Sequence, residues 1–152
     1  MPTILRSLQR LLNLLEHEGI DYMIIGGYAL PYYGRIKATV DIDISVPIRN
    51  NKEREAFIHL LKANAFEPSV GSNSAQNPMM VVVDRIEKIE IEIWFKPDGI
   101  VFDEETLERR RKVSLSASFK AWIISPEDFI VNKLARPDRG ATDEEDVKSV
   151  LV

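Results

Sequence analysis

The 152-residue chain contains no cysteine, which removes disulfides, thiolate zinc sites and cysteine nucleophiles together. A bound metal must then be held by oxygen or by one of two histidines. No apolar run approaches the roughly 20 residues that span a bilayer, and the N-terminus lacks the basic-then-apolar layout of a secretory signal. The expectation is a cytoplasmic protein with no membrane partner. Excess positive charge is missing too. Twenty Lys and Arg stand against 24 Asp and Glu, a net charge of -4, which argues against nucleic-acid binding through one broad basic surface and leaves room only for a local patch. What the chain does have is 45% hydrophobic and 29% charged residues, the balance of an ordinary globular protein. Its length fits one domain over residues 1–152 with one core.

Ile4, Leu8, Leu11, Leu12 and Leu15 fall at helical spacing over residues 4–15, and Gly19 supplies a terminator. The apolar run Tyr22 to Ile25 stops at Gly26-Gly27, which suits a buried strand entering a tight turn. A short helix ending near Gly34 follows, with Pro31 tolerated in its first turn. Residues 40–46 alternate Val40, Ile42, Ile44 and Val46 with Asp41, Asp43 and Ser45, the period of a strand with one buried face, and Pro47 ends it. A helix is expected over 51–63, an exposed loop over 71–78, and a hairpin from strands at 79–83 and 89–94. The run Arg109-Arg110-Arg111-Lys112 could meet the phosphates of a nucleic-acid acceptor but reads first as a solvated helix face. Strands lie between Val113 and Ile124, Ser125-Pro126 starts a helix, and Thr142 to Glu145 form a capping box for the last one. This order gives an α/β or α+β domain with a small mixed sheet flanked by helices.

Two residues apart on a strand, Asp41 and Asp43 project four oxygens from one face while Ile42 and Ile44 anchor the other. Neighbouring like charges call for a positive partner, and magnesium commonly combines one or two carboxylates with substrate phosphates. Taken alone, the pair would equally decorate the wet face of an amphipathic strand. Gly26-Gly27, between an apolar strand and a helix start, can bring bare backbone N–H groups close to a phosphate. Taken alone, it would equally be a turn needing positive φ. Arg35, Lys37 and Thr39 lie just ahead of the acidic pair, placed either to neutralise a triphosphate or to salt-bridge Asp41 or Asp43. His17 and His59 have no paired metal-ligand spacing, and Trp94 and Trp122 read as core or rim residues.

In order, the motifs run Ile24-Ile25-Gly26-Gly27-Tyr28-Ala29-Leu30, then Tyr33-Gly34-Arg35-Ile36-Lys37-Ala38-Thr39-Val40-Asp41-Ile42-Asp43. This combination resembles the signature of the DNA polymerase β-like nucleotidyltransferase superfamily, most closely its minimal AbiEii-type group among toxin–antitoxin proteins. Lys88-Ile89-Glu90-Ile91-Glu92 resembles that group's lysine with an acidic residue four positions on. Glu90 shares a strand face with Glu92, and the motif match favours Glu92 as third carboxylate. Ser125 to Leu134 and Asp143 to Asp146 resemble the closing helical motifs.

The resemblance implies a nucleotidyltransferase fold and metal-dependent transfer of a nucleoside monophosphate from an NTP to a hydroxyl. It implies Asp41, Asp43 and Glu92 as ligands of two Mg2+ ions, with Mn2+ as a substitute. Gly26, Gly27, Arg35, Lys37, Thr39, Lys88 and Lys133 would face the nucleotide. The implied acceptor is the end of a tRNA or another RNA, or a protein side chain, and a cognate toxin or antitoxin is an implied partner. Two positions depart from the pattern. Tyr28 stands where many active relatives carry serine, and Glu92 where many carry aspartate. A nucleotidyltransferase-fold protein that binds nucleotide or a protein partner without catalysis is therefore the alternative.

Overall fold

A computed structural model describes residues 3–26, 42–69, 78–95 and 103–135, together with 144, 145, 147 and 148. The described elements are α1 (Thr3–His17), β1 (Met23–Ile25), β2 (Ile42–Ser45), α2 (Asn51–Ala63), β3 (Phe66–Pro68), β4 (Met79–Asp84), β5 (Ile89–Trp94), α3 (Glu104–Arg109), β6 (Arg111–Ser116), β7 (Phe119–Ile123) and α4 (Pro126–Leu134). The strands form one seven-stranded mixed sheet in the order β3-β4-β5-β2-β1-β7-β6. β2 pairs parallel with β5 and β1 parallel with β7, while β1 and β2 run antiparallel. The end of β1, the end of β7 and the starts of β2 and β5 consequently meet at one end of the sheet. Among the described residues no helix is long and apolar enough to cross a membrane.

The spacing of leucines in α1 becomes a buried stripe: Leu8, Leu11, Leu12 and Leu15 are all fully buried. They share one apolar cluster with Ile24, Ile42, Ile44, Met80, Val82, Ile91 and Ile93 of the sheet and Phe57 and Leu61 of α2. Each such side chain contributes roughly 1.5–3 kcal/mol by leaving water. After α1, Gly19 takes φ +69, its N–H donates to the Glu16 carbonyl, and the Ile20 N–H reaches back to that of Leu15. This paired closure requires the left-handed residue that glycine provides without strain. At the start of α2 the Asn50 side chain accepts from the Glu53 N–H at 2.8 Å, as an N-cap does.

The expected helix at 4–15, the strand at 22–25, the described part of the strand at 40–46, the helix at 51–63 and the hairpin at 79–94 all appear, within a few residues at each described boundary. The short helix expected before Gly34, the loop over 71–77 and the capping residue Thr142 lie outside the described residues, whereas 144, 145, 147 and 148 are helical. Two local structures differ from the sequence reading. β3 is added at the sheet edge, where Pro68 is tolerated because an outward position owes the sheet no N–H. The run from Arg109 to Lys112 is not one solvated helix face: Arg109 ends α3, Arg110 caps it, and Arg111 and Lys112 begin β6. Helix propensity loses here because individual cations find partners. Arg109 grips Asp128 at the start of α4 through two hydrogen bonds of 3.0 Å, and Arg110 donates to the Tyr22 carbonyl at 2.8 Å while lying over the Trp122 ring.

One fully buried carboxylate belongs to this framework. Asp84, on the core face at the end of β4, accepts from the Ser7 hydroxyl at 2.7 Å, from the Ile86 and Glu87 N–H groups, and from the Arg10 guanidinium. Burial alone would push its pKa up, but these donors outweigh it and hold the group below its ordinary value. A carboxylate depressed by folding contributes its stability fully above its unfolded pKa and loses it as pH falls through the folded value. Asp84→Asn should therefore cost roughly 3 kcal/mol at neutral pH, the low end for breaking a buried pair, because Arg10 keeps 30% of its side chain exposed. Urea unfolding from pH 7 down to pH 2 checks this. The gap between natural protein and variant should narrow once pH drops below the ordinary value of 3.8, and a gap that stays constant would contradict the assignment.

Candidate active site

Alternation along the strands gives the sheet two unlike faces. Ile24, Ile42, Ile44, Ile91 and Ile93 face the main cluster, so Asp43, Ser45, Glu92 and Trp94 must project from the opposite side. β2 pairs with β5 so that Asp43 sits directly across from Glu92, and with β1 so that Asp43 sits directly across from Ile25. Both carboxylates are half-buried. They lie at the end of the sheet where β1 finishes and where β2 and β5 begin.

Gly26 closes this arrangement. Its φ is +70, and a Cβ built on it would stand 2.6 Å from Asp43 Oδ2 and 3.3 Å from Asp43 Cβ. No other residue could occupy position 26 without moving the carboxylate or the turn. Glycine is needed twice over, for the left-handed backbone and for bare space above Cα. The other Asp43 oxygen, Oδ1, accepts a hydrogen bond from the Trp94 indole Nε1–H at 3.3 Å. Trp94 lies two residues past Glu92 on the same face, opposite Ser45 of β2 and Met79 of β4.

The remaining sequence-derived candidates distribute unevenly. Lys88 is exposed in the turn before β5, with φ +61, four residues ahead of Glu92 at the same end of the sheet. Glu90 lies opposite Val83 of β4 and is exposed, one alternation further from Asp43 than Glu92 is. The β2–β5 register thus puts Glu92, not Glu90, beside Asp43. Lys133 is buried in α4, its ammonium 5.6 Å from the centre of the Phe129 ring. Gly27, Arg35, Lys37, Thr39 and Asp41, with Tyr28, lie outside the described residues. Sequence reasoning placed Trp94 in the core or its rim and missed its bond to Asp43. The available signal was its position two residues after Glu92, which fixes its face, together with an indole N–H that usually finds an acceptor when half-buried.

In chemical terms, Asp43 and Glu92 offer a donor set made only of carboxylate oxygens, which suits a hard divalent cation. The Gly26 cradle leaves the Asp43 carboxylate in a space that any Cβ would take. Two carboxylates are as many as magnesium commonly takes from a protein, and among the described residues no group of three or more potential ligands is assembled.

A family model described as "Nucleotidyl transferase of unknown function (DUF2204)" matches residues 4–151. The chain belongs to this nucleotidyltransferase family. Membership makes it an enzyme of that class. No curated protein matches the sequence significantly. Among solved structures, the chain is similar to the lincosamide antibiotic adenylyltransferase LnuA in its lincomycin-bound form, with 20% identity, 96% of this chain and 95% of that one covered, and a TM-score of 0.62. It is also similar to ANT(2")-Ia in complex with adenylyl-2"-tobramycin, with 13% identity, 97% and 86% coverage, and a TM-score of 0.58. An antigenic nucleotidyltransferase-like protein from Paracoccidioides brasiliensis shares 20% identity over 97% of this chain and 75% of that one, with a TM-score of 0.59. At these identities the likeness is one of fold, and the mixed α+β architecture agrees with the nucleotidyltransferase fold expected from the sequence.

The contact at Gly26 predicts a spectroscopic effect. Gly26→Ala should lower stability by about 1–2 kcal/mol for its left-handed backbone and displace the Asp43 carboxylate from the indole. In a 1H–15N spectrum one of the two indole N–H signals, that of Trp94, should shift while that of Trp122 stays. Two unmoved indole signals would show that position 26 does not support Asp43.

Proposed function

We propose that the enzyme transfers a nucleoside monophosphate from an NTP to a hydroxyl acceptor in a reaction that depends on Mg2+ or Mn2+, with Asp41, Asp43 and Glu92 as metal ligands. The observation that carries this reading is the register setting Asp43 beside Glu92, with one Asp43 oxygen against Gly26, in a chain of a nucleotidyltransferase family. The acceptor oxygen would bond to the α-phosphorus, the bond from that phosphorus to the β-bridging oxygen would break, and pyrophosphate would leave with the pair of electrons. A bound divalent cation would stabilise the triphosphate charge and make the acceptor hydroxyl easier to deprotonate.

The chain's own residues would do the binding. Backbone N–H groups of the Gly26-Gly27 turn would receive phosphate oxygens, and Arg35, Lys37, Thr39, Lys88 and Lys133 would offset the charge of the triphosphate and of the departing pyrophosphate. Support for the last five comes from the motif resemblance. That resemblance also supports an RNA end, such as that of a tRNA, or a protein side chain as acceptor, and a cognate antitoxin or toxin as partner. One fold neighbour is a lincosamide antibiotic adenylyltransferase and another holds adenylyl-2"-tobramycin, so a hydroxyl on a small molecule is the competing acceptor class.

Each α-32P-labelled NTP, incubated with Mg2+ and separately with total tRNA, with a protein extract and with aminoglycosides and lincosamides, should label one acceptor pool. Asp43→Asn and Asp41→Asn should each reduce labelling by roughly 100-fold or more, since several kcal/mol of charge stabilisation disappears. Transfer retained by both variants would end the assignment. Magnesium-dependent NTP binding with no transfer to any pool would favour the non-catalytic alternative suggested by Tyr28 and Glu92.

A further inference from the structure

Strand β5 carries more toward the site than the carboxylate of Glu92. Because Asp43 pairs with Glu92 and Ser45 with Trp94, Trp94 is the diagonal neighbour of Asp43 on the same face, within reach of a large aromatic side chain. Its indole is a donor only, and it donates to Asp43 Oδ1 at 3.3 Å. The second oxygen, Oδ2, is stopped by Gly26 on the other side, where even a methyl group would stand 2.6 Å away. The two contacts locate both ends of one carboxylate.

We propose that Trp94 is a positioning residue for metal binding by Asp43, an inference that rests on the reading of Asp43 and Glu92 as metal ligands. The indole N–H fixes the rotation of the carboxylate before any ligand arrives. Across the strands Trp94 is paired with Ser45 of β2 and Met79 of β4. Glu92-Ile93-Trp94 therefore works as a unit: one residue supplies a carboxylate, the next anchors in the core, and the third aims the carboxylate across the strand. A residue there that merely filled space would need no donor.

Two substitutions separate these roles. Trp94→Phe keeps an aromatic ring and removes the donor. Trp94→His places Nε2–H at the ring atom equivalent to the indole nitrogen and so restores it. Calorimetry would measure the Mn2+ dependence of NTP binding, with the tightest-binding of the four NTPs, in the natural protein, both variants and Asp43→Asn, with thermal unfolding of each alongside.

The half-saturating Mn2+ concentration should rise about 10-fold or more in Trp94→Phe, the usual effect of removing an outer partner of a metal ligand. It should return most of the way in Trp94→His, although both variants lose similar packing and melt at similar temperatures. Unchanged Mn2+ dependence in Trp94→Phe, with binding lost in Asp43→Asn, would overturn the role of Trp94 alone. Equal loss in Phe and His variants would reduce Trp94 to packing and also overturn it. Binding that is independent of Mn2+ in the natural protein, or unaffected in Asp43→Asn, would instead bring down the metal-site reading beneath it.

Discussion

The arrangement of the candidate site depends on a carboxylate resting against a Cα that carries no side chain. Asp43 can hold its position only if residue 26 lacks a Cβ, if β1 pairs antiparallel with β2 so that Ile25 faces Asp43, and if β2 pairs parallel with β5 so that Glu92 does too. β2 is the fourth of seven strands, and its Ile42 and Ile44 are buried in the main cluster. A slip of one residue in either pairing would send those isoleucines to the opposite face and the carboxylate into the core. Hydrophobic burial on one side of the strand thereby fixes the position of charge on the other.

Two carboxylate environments show how differently the fold treats acid groups. Asp84 sits on the core face of β4 with its charge answered inside the chain, by a hydroxyl, two backbone N–H groups and a guanidinium. Arg10 also reaches the Asn64 carbonyl and lies 4.0 Å from the centre of the Phe66 ring, so the same cation ties α1 to the end of α2 and to β3. That is a structural joint. Asp43 and Glu92 instead stand as two acids directly opposite each other on adjacent strands, a pairing that by itself lowers stability and favours a nearby positive group. Local conflict of this kind inside an otherwise consistent sheet is expected where function has constrained the sequence.

Legibility in the sequence followed the range of the interactions. The leucine spacing of α1, the alternation through Ile42 and Ile44 and the two strands of the β4–β5 hairpin are written within a dozen residues each, and periodicity reads them. The need for glycine at position 26 could likewise be suspected from its place after an apolar strand. Three things could not be read this way. β3 has three residues and draws its stability from β4, too short for any period to show. The run of cations at Arg109 to Lys112 looked like one surface, yet its first two charges are decided by distant partners, Asp128 for Arg109 and the Tyr22 carbonyl with Trp122 for Arg110. The placing of Glu92 directly across from Asp43 rests on parallel pairing with a strand nearly fifty positions earlier, which no periodicity encodes, although the motif resemblance favours Glu92 over Glu90.

Trp94 belongs to the same third category, and it shows what a strand can encode beyond burial. Period-two alternation gives β5 one set of residues for the core, Ile91 and Ile93, and another for the site, Glu92 and Trp94. Because the twofold period is rigid, the spacing between the Glu92 carboxylate and the Trp94 donor is set by the backbone and not by side-chain chance. The parallel partner strand then sits so that the residue opposite the first of these, Asp43, falls on the diagonal of the second. One register thus satisfies the core, brings two carboxylates together and supplies the donor that orients one of them. A mutation elsewhere that shifted this register would remove all three at once, whereas a change at Trp94 would remove only the last.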